Sequence, residues 1–587
     1  MTAYAAPLRD IKFVLQNVAG LDQVTALPAF QEATADLVDS ILEEAAKIAA
    51  DTLAPLNRVG DTQGARQEDG VVRVADGWRE AWSILVEGGW NGLPFPPEHG
   101  GMGLPNLLNT AVHEMWQSAN MAFALCPMLT QGAVNAIVSY GTEQQQALYL
   151  PKMVSGEWTG TMNLTEPAAG SDLAAIRTRA VPEGDHYRIF GQKIFITYGD
   201  HEMVDNIVHL VLARLPDAPA GVKGISLFIV PKFLVNADGS LGARNDVACA
   251  SLEHKLGIHA SPTAVMAFGD GDGAIGTLVG EANRGLEYMF TMMNHARQAV
   301  GLQGLAIAER AYQQALDYAR QRVQGKPAGW TGAGATGIVN HPDVRRTLMT
   351  MKCQIEAMRG LIYSAAAAVD LAHAHPDAEA RARAQSMADL LTPLVKGWST
   401  EVGNQVASAG LQVHGGMGYV EETGAAQHFR DARITTIYEG TTAIQANDLV
   451  LRKTLRDDGR GLAVLLDDVR ATAAAAGDAG LGLGDKLLRA ADTAASCVAW
   501  LLAAARRDPR LPAGAAGPFL DLMGTLVGGQ MMAKAALAAA GGEDSFLAAK
   551  RVTADFYADH MLSRVDGLGQ AIQAGSEAIM ALDEQDL

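Results

Sequence analysis

The amino-acid sequence predicts a mainly helical α+β protein, in which one β region lies between helical domains. Three observations support this fold class. The chain has 587 residues, 49% of them hydrophobic, which is enough for several cores of about 100–200 residues each. Apolar residues recur with helical spacing before and after the middle of the chain. The middle itself is rich in Val, Ile and Phe, and Gly, Asp and Pro interrupt it, which is typical of strands and turns.

The first region is predicted to be an N-terminal extension over 1–32 and a helical domain over 33–158. The segment EATADLVDSILEEAAKIAADTLAPLN places apolar residues at i, i+3, i+4 and i+7, which is the spacing of one helical face. Because proline lacks the N–H that a helix interior needs, we expect this helix to end at Pro55.

The middle domain is predicted to span 159–280 and to consist of strands. Its apolar runs are YRIFGQKIFITYG, NIVHLVLARL and GISLFIVPKF. They are rich in the β-branched and aromatic residues that favour strands. The residues between them are turn formers, so each run is expected to be a separate strand.

Helical spacing returns over 281–457, which is predicted to be a helical bundle. The Gly- and Asp-rich stretch RDDGRGLAVLLDD indicates a boundary near residue 460. An additional C-terminal helical domain is therefore predicted over 458–587. Its long Ala-rich segments carry polar faces, which favours close helix packing over a role in a membrane.

Composition narrows the possible functions. A net charge of −19 argues against nucleic acid or an anionic membrane as the main partner. The longest apolar runs are shorter than the ~20 residues of a spanning helix, and the N-terminus lacks the pattern of a secretory signal. Cys126, Cys249, Cys353 and Cys497 lie far apart and form no CxxC pair. They indicate neither a metal site nor a disulfide framework, so we expect a cytoplasmic protein.

Two segments at the edges of the β region are candidates for contact with a flat cofactor. In MNLTEPAAGSDLAAIRT, Thr165 and Ser171 accompany small residues that let the main chain approach a ligand. A short turn capped by Ser171-Asp172 is the simpler interpretation of that segment. In GQKIFITYGDH, a ring and a hydroxyl lie near a strand end, at residues 195–197. Taken alone, an ordinary strand with a core phenylalanine explains this segment better.

Glycines and arginines suggest a site for an anion. The segment QVHGGMGYVEETG contains Gly415, Gly416 and Gly418, and such a loop can present N–H groups to a pyrophosphate. It is not a dinucleotide fingerprint, because no strand precedes it. Arg297 and Arg322 are candidate phosphate contacts, although the helix dipole also favours basic residues in a last helical turn.

The stretch RITTIYEGTTAIQ contains one carboxylate, Glu439. Its first half is typical of a short apolar strand, and its second half of a helix that begins with a threonine cap. A lone glutamate is more often solvated than catalytic. Here the apolar flank predicts burial, which raises the pKa of a carboxyl group and makes it a usable general base near neutral pH.

The segments LTEPAAGSD, GQKIFITYG, QVHGGMGY and RDARITTIYEGTTAIQ, in this order, resemble motifs of the acyl-CoA dehydrogenase family over about residues 33–455. The family fold has a helical domain, a β-barrel-like middle domain and a four-helix bundle, which matches the plan above. The resemblance implies an FAD-dependent enzyme that converts an acyl-CoA to a trans-2-enoyl-CoA in fatty acid β-oxidation. It also implies that electrons pass to electron-transfer flavoprotein.

The same resemblance implies a role for each matching residue. Glu439 is the implied base for the α-proton, and its main-chain N–H the implied donor to the thioester carbonyl. Gln412 and Gly416 match positions that bind the FAD of a neighbouring subunit, so a homodimer is expected. The implied cofactor contacts are Met162, Leu164, Thr165, Ser171, Phe195, Ile196, Thr197, Arg322, Gln412, Gly415, Gly416 and Thr441. The implied substrate contacts are Ser171, Asn294, Arg297, Tyr438 and Gly440.

Some features leave the substrate and the electron acceptor open. Ala446 stands where the family usually has an arginine, and the additional C-terminal domain is typical of a larger bacterial subgroup. That subgroup includes fatty acyl-CoA dehydrogenases and the 3-(methylthio)propanoyl-CoA dehydrogenases of dimethylsulfoniopropionate breakdown. An oxidase-like enzyme that passes electrons to O₂ is an alternative. A non-catalytic scaffold is another, but the intact Glu439 and Thr197 argue against it.

Overall fold

The computed structural model describes residues 3–575 and 578–587, and its internal packing divides the chain into two compact units. The helical unit comprises the residues up to Ala46, Pro105–Ser118 and the residues from Arg297 onward. The sheet unit comprises Lys47–Leu104 and Ala119–Ala296. The two units therefore alternate along the chain.

The first part of the chain is helical, with one small hairpin. Its helices are α1 Leu8–Asn17, α2 Leu21–Thr25, α3 Ala35–Lys47, α4 Ala54–Gln63, α5 Trp78–Glu87, α6 Asn106–Tyr140 and α7 Glu143–Ser155. The hairpin pairs β1 Arg66–Glu68 with β2 Val71–Arg73. The expectation that the helix ends at Pro55 is wrong. Pro55 lies in the first turn of α4, where the missing N–H costs no helical hydrogen bond, and a π-helical segment over Ile48–Leu53 precedes it.

The β region forms one larger sheet within the sheet unit. Its strands are β3 Trp158–Asn163, β4 Arg179–Glu183, β5 His186–Thr197, β6 Asn206–Arg214, β7 Ile225–Pro231, β10 Val247–Leu252, β11 Thr263–Phe268 and β12 Ala274–Leu278. Strands β8 Phe233–Val235 and β9 Leu241–Arg244 form a separate pair. The order is β10-β11-β5-β12-β7-β6-β3, and β4 pairs with β5 and β6. The three runs predicted to be strands are confirmed as β5, β6 and β7.

The sheet carries hydrophobic residues on both faces. One core contains Val211, Phe228 and Phe268. The other contains Trp158, Leu210 and apolar residues of α6 and α7. Burial on both sides explains why β6 and β7 read as continuous apolar runs and not as alternating ones.

The rest of the chain is helical. Its helices are α8 Gly285–Gln321, α9 Pro342–Ala374, α10 Ala378–Pro393, α11 Ser399–His414, α12 Ala425–Arg433, α13 Thr442–Asn447, α14 Arg460–Asp478, α15 Leu483–Arg507, α16 Arg510–Gly514, α17 Ala516–Ala538, α18 Ser545–His560 and α19 Arg564–Gln573. Two further π-helical segments, Leu394–Trp398 and Asp448–Thr454, interrupt the helical path before α11 and after α13. Within the helical unit, α17 packs against α9, α13 and the π-helical segment 394–398.

A buried cluster of charges joins distant parts of the helical unit. The Arg359 side chain, 1% exposed, donates to carboxylate oxygens of Glu114 at 2.6 Å and of Glu309 at 2.9 Å, and also pairs with Asp10. Asp10 in turn pairs with Lys550 on α18. Four charged side chains, one each from α1, α6, α8 and α18, therefore lie around one guanidinium on α9. This cluster attaches both the N-terminal extension and the additional C-terminal helices to the bundle.

Two helices in the described part of the chain, α6 and α15, are long and apolar enough to cross a membrane by length and composition alone. The most apolar window of α6 is 89% buried, as in a core helix of a soluble protein. In α15 the buried residues recur every three or four positions, so its apolar side is one face of an amphipathic helix. Such helices are weak indications of a membrane span.

Candidate active site

The predicted site residues form two groups, one in each unit. The sheet unit holds Met162, Leu164, Thr165, Ser171, Phe195, Ile196, Thr197 and Asn294. The helical unit holds Arg297, Arg322, Gln412, Gly415, Gly416, Tyr438, Glu439, Gly440 and Thr441.

In the sheet unit, the threonine segments 162–165 and 195–197 come together at the end of β5. The N–H of Ile194 donates to the carbonyl of Thr165 at 2.9 Å. The pairing of β5 with β11 slips by one residue just before its end, and Phe195 there has a φ of +60°. This bulge leaves the Phe195 ring 58% exposed, because a bulge redirects a side chain away from the regular strand alternation.

The loop after Thr165 is fixed by a buried ion pair that no sequence motif predicts. The Nζ of Lys193, which is fully buried, donates to Glu166 Oε1 at 2.8 Å and to the carbonyl of Leu164 at 3.0 Å. Glu166 also accepts from the N–H groups of Arg177 and Thr178. The Lys193 ammonium lowers the pKa of Glu166 against the effect of burial. The alternation of β5 places residue 193 inward, but the sequence does not name its partner.

The remaining predicted contacts in the sheet unit differ in exposure. The side chains of Met162, Leu164 and Ile196 lie in the hydrophobic cores, so they are not available for side-chain contact with a ligand. Ser171 and Asn294 are exposed. The simpler interpretation of the first segment is confirmed in one detail, because Asp172 accepts from the N–H of Ala174 and caps the turn 173–175.

In the helical unit, Glu439 lies in a short loop between two helical turns. The residues before it, Ile434–Thr436, form a 3-10 turn, so the expected apolar strand is wrong. The cap is confirmed, since the Thr441 hydroxyl accepts from the N–H of Ile444 at the start of α13. Both Glu439 and Gly440 have left-handed backbone, with φ of +57° and +91°. A non-glycine residue in that region costs about 1–2 kcal/mol, so surrounding contacts must hold Glu439 there.

Burial controls the acidity of Glu439. It raises the pKa of Glu439 to about 7, while the Arg297 guanidinium and the Lys396 ammonium oppose that rise. Arg297 is itself 7% exposed, and the carboxylate of Asp448 favours its charged form. A carboxylate with a pKa near 7 is suited to accept a proton at neutral pH.

Lys396, on the π-helical segment 394–398, was not among the predicted site residues. Its side chain is 0% exposed, and its Nζ has no hydrogen-bond partner within the described ranges. Burial lowers its pKa to about 7, and the carboxylate of Glu439 acts in the opposite direction. The sequence around Lys396 does not indicate that this lysine acts on Glu439, because Glu439 lies about forty residues further along the chain.

Two of the predicted substrate contacts, Tyr438 and Gly440, lie against glutamine side chains of the helical unit. The Tyr438 hydroxyl donates to the side-chain oxygen of Gln303, so the tyrosine is anchored in the bundle. A Cβ added at Gly440 would lie 2.8 Å from Gln445 Nε2. The space that this glycine leaves therefore admits the Gln445 amide.

The glycine-rich loop begins where α11 ends. Gly415 has a φ of +60°, and a Cβ added at Gly415 or Gly416 would meet no atom within 4 Å, so the main chain there is open to a ligand. Gln412 on the last turn of α11 lines an open groove of about 700 Å³ along α11 and α12. Arg322 is exposed just after the end of α8. The main chain of the two glycines and the side chains of Gln412 and Arg322 are therefore accessible to a ligand.

Comparison with known proteins identifies the family. The acyl-CoA dehydrogenase N-terminal, middle and C-terminal domain models match residues 38–157, 161–270 and 283–453. An acetyl-CoA dehydrogenase C-terminal-like model matches residues 465–583. The 3-methylmercaptopropionyl-CoA dehydrogenase of Ruegeria pomeroyi is 49% identical over 98% of this chain and all of its own. The chain belongs to the acyl-CoA dehydrogenase family. It is an oxidoreductase, as the sequence motifs predicted.

Two further comparisons describe the range of relatives. The broad-specificity linear acyl-CoA dehydrogenase of Mycobacterium tuberculosis is 35% identical over the full length of both chains. The crystal structure of an acyl-CoA dehydrogenase complexed with FAD from Bacillus anthracis is 22% identical and has a TM-score of 0.72. It covers 96% of this chain, and this chain covers 91% of it. The predicted fold class, including the additional C-terminal helical domain, is confirmed.

Proposed function

We propose that this enzyme dehydrogenates an acyl-CoA thioester between Cα and Cβ, with Glu439 as the base that removes the α-proton. The observation that carries the proposal is a buried carboxylate in left-handed backbone, with a pKa that burial raises to about 7 and that the basic groups of Arg297 and Lys396 act to lower. A group of that acidity can take a proton near neutral pH and give it up again, as a general base in turnover must.

The cofactor is FAD, and the exposed groups in each unit fit it. Phe195 offers an exposed ring in the sheet unit, and Thr165 and Thr197 lie at the same end of β5. Gly415 and Gly416 offer open main chain to a diphosphate. Bound FAD would supply the hydride acceptor that the oxidation of the Cα–Cβ bond requires. We assign the flavin contacts to the sheet-unit group, and diphosphate contacts to Arg322, Gln412 and the two glycines.

The chain's own residues supply the acid–base part of the reaction. Glu439 would take the α-proton, and its main-chain N–H would donate to the thioester carbonyl, where negative charge develops. A donor of this type contributes roughly 3–4 kcal/mol to lowering a barrier. The Arg297 guanidinium opposes the rise in the pKa of Glu439 that burial causes, and so favours the ionised carboxylate.

The variant Glu439→Gln tests this assignment. Glutamine preserves shape but cannot accept the proton, so the purified protein should keep its yellow FAD and bind acyl-CoA without bleaching. The exposed Glu379 on α10 provides a matched control, since Glu379→Gln makes the same chemical change away from the site and should bleach normally. Normal bleaching of Glu439→Gln by an acyl-CoA under anaerobic conditions would overturn the assignment.

The acyl group is proposed from the relatives. The 49% identity with a 3-methylmercaptopropionyl-CoA dehydrogenase supports a short, methylthio-substituted acyl chain, and the linear acyl-CoA dehydrogenase at 35% supports fatty acyl groups of β-oxidation as the second candidate. A panel of straight-chain acyl-CoAs and 3-(methylthio)propanoyl-CoA, assayed with an artificial electron acceptor, decides between them by kcat/KM.

The electron acceptor and the assembly are further proposals from the family resemblance. We infer that electrons pass to electron-transfer flavoprotein in the cytoplasm; peroxide formation in air, without that partner, would instead indicate oxidase chemistry. A homodimer is inferred because Gln412 and Gly416 match positions that contact a neighbouring subunit. The adjoining Tyr419 is 92% exposed and Met417 48% exposed. Light scattering of the FAD-loaded protein measures the assembly directly.

A further inference from the structure

We propose that Gln445 is a positioning residue for the base, and that the additional C-terminal domain holds Gln445 in place through α17. This inference rests on the proposed function, because it assigns Glu439 as the group being positioned. It gives the C-terminal domain a part in the active site without contact between that domain and substrate.

Gln445 bridges the two left-handed residues of the catalytic loop. Its Nε2 donates to the carbonyl of Glu439 at 3.3 Å and to that of Gly440 at 3.4 Å. The side chain is 0% exposed, so water does not compete for these bonds. Each bond is long and individually weak, but together they hold consecutive carbonyls in a conformation that Glu439 would otherwise leave.

Gln445 is in turn packed against the π-helical segment 394–398. A Cβ added at Gly397 would lie 3.2 Å from Gln445 Cβ and 2.6 Å from Leu520 Cδ2. The Gln445 and Leu520 side chains therefore lie on the same side of Gly397 and fill the space that a Cβ there would need. Leu520 of α17 thus bounds the space in which Gln445 can move.

A second contact fixes the same segment to α17. A Cβ added at Gly524 would lie 2.1 Å from Trp398 Cγ, and one at Gly528 would lie 3.0 Å from the far end of the Trp398 ring. These glycines lie one helical turn apart, on the same face of α17 as Leu520. The indole of Trp398 therefore packs into the space that Gly524 and Gly528 leave on α17. The π-helical segment 394–398 cannot shift without losing that packing.

Ala446 follows from the same arrangement. It is 1% exposed on α13, which packs against α17. An arginine at this buried position would have to bury its charge, which alanine avoids.

The first test removes the Gln445 donor. Gln445→Met keeps a long side chain but cannot hydrogen-bond to the loop, and we expect the rate of flavin reduction by butanoyl-CoA to fall between about 10- and 100-fold. Because misplacement of the base slows proton abstraction in particular, the isotope effect with butanoyl-CoA deuterated at C2 should increase. Gln530→Met is the matched control, since Gln530 is 1% exposed and donates to Thr472 Oγ1 at 3.3 Å within the C-terminal domain.

The second test acts from the C-terminal domain. Leu520→Ala should slow flavin reduction in the same direction as Gln445→Met and also raise the C2 isotope effect. Leu522→Ala, at a buried position two residues along α17, should lower thermal stability with little effect on either quantity. The Leu520 variant keeps the proposal testable if Gln445→Met does not fold.

The outcomes separate this proposal from the proposed function. If the wild-type holoenzyme is not bleached by any acyl-CoA in the panel, the proposed function fails. If the wild type is bleached and both Gln445→Met and Leu520→Ala match it in rate and isotope effect, the positioning role fails. A loss of stability without an isotope effect would also overturn it, because a purely structural residue behaves in that way.

Discussion

The electrostatic role of Lys396 leads to a prediction about pH. As the proposed base, Glu439 must be ionised to accept a proton, so the rate of flavin reduction by acyl-CoA should rise with pH through the pKa of Glu439, which burial raises to about 7. The Lys396 ammonium opposes that rise. Lys396→Met removes this charge, so the rise in the rate of flavin reduction should occur at higher pH.

General values for charge pairs give the size of the shift. An opposite charge within about 4–6 Å moves the pKa of a carboxyl group by about 1–3 units. Lys396 Nζ has no hydrogen-bond partner in the described part of the chain, and Arg297 acts on the same carboxylate more strongly. The lower end, about one unit or 1.4 kcal/mol, is therefore expected. Well below the pKa, this is about a tenfold smaller ionised fraction of Glu439.

The assay is anaerobic stopped-flow reduction of the FAD-loaded enzyme by butanoyl-CoA, followed by bleaching of the flavin band between pH 5.5 and pH 9. The effect should be largest below pH 7, because burial lowers the pKa of Lys396 itself to about 7 and the amine is increasingly neutral above that. Lys396→Arg retains a positive charge, so its rate of flavin reduction should rise over the same pH range as in the wild type.

A second control concerns stability. Lys534 on α17 is another lysine, partly buried, whose pKa is lowered by burial, so Lys534→Met makes the same change outside the site and should leave the pH profile unchanged. Because Lys396 is a buried charge without a hydrogen-bond partner, its apolar replacement should not lower the melting temperature. A Lys396→Met enzyme that binds FAD and has the wild-type pH profile would refute the electrostatic role.

Two further predictions concern the loop and the charge cluster. Gly440→Ala should slow flavin reduction while FAD stays bound, because a Cβ at a φ of +91° would lie 2.8 Å from Gln445 Nε2; an unchanged reduction rate in stopped flow would contradict this. Arg359→Met should lower the free energy of unfolding by about 3–5 kcal/mol in urea, since Glu114 and its neighbours remain buried without their partner. The same change at the exposed Arg489 should cost less than about 1 kcal/mol, and equal losses would argue against a stabilising cluster.

Much of the architecture is predictable from local patterns. Strands β5, β6 and β7 follow from apolar runs between turn formers, and the Thr441 cap follows from a threonine before a helical pattern. The helix expected to end at Pro55 fails for a local reason as well. A proline is tolerated in the first turn of a helix, and the π-helical segment before α4 cannot be recognised from composition.

Parts of the site depend on residues that are distant in the sequence. Glu166 is buried and pairs with Lys193, yet it stands in a loop where a glutamate is usually solvated. Ile196 carries a motif position but packs its side chain into the core. The bulge in the pairing of β5 with β11 sets which side chains of β5 point into the core.

The sequence by itself determined the family and the fold class and led to the proposal of Glu439 as the base, because these depend on residue types and spacings within short segments. Only the tertiary structure decided what surrounds Glu439. Lys396 acts on its pKa, and Gln445 donates to the carbonyls of Glu439 and Gly440. Helix α17 packs against the segments that carry both residues. The physical reason is that a pKa and a strained backbone are set by groups within a few ångströms. Packing brings those groups together from helices that are far apart along the chain.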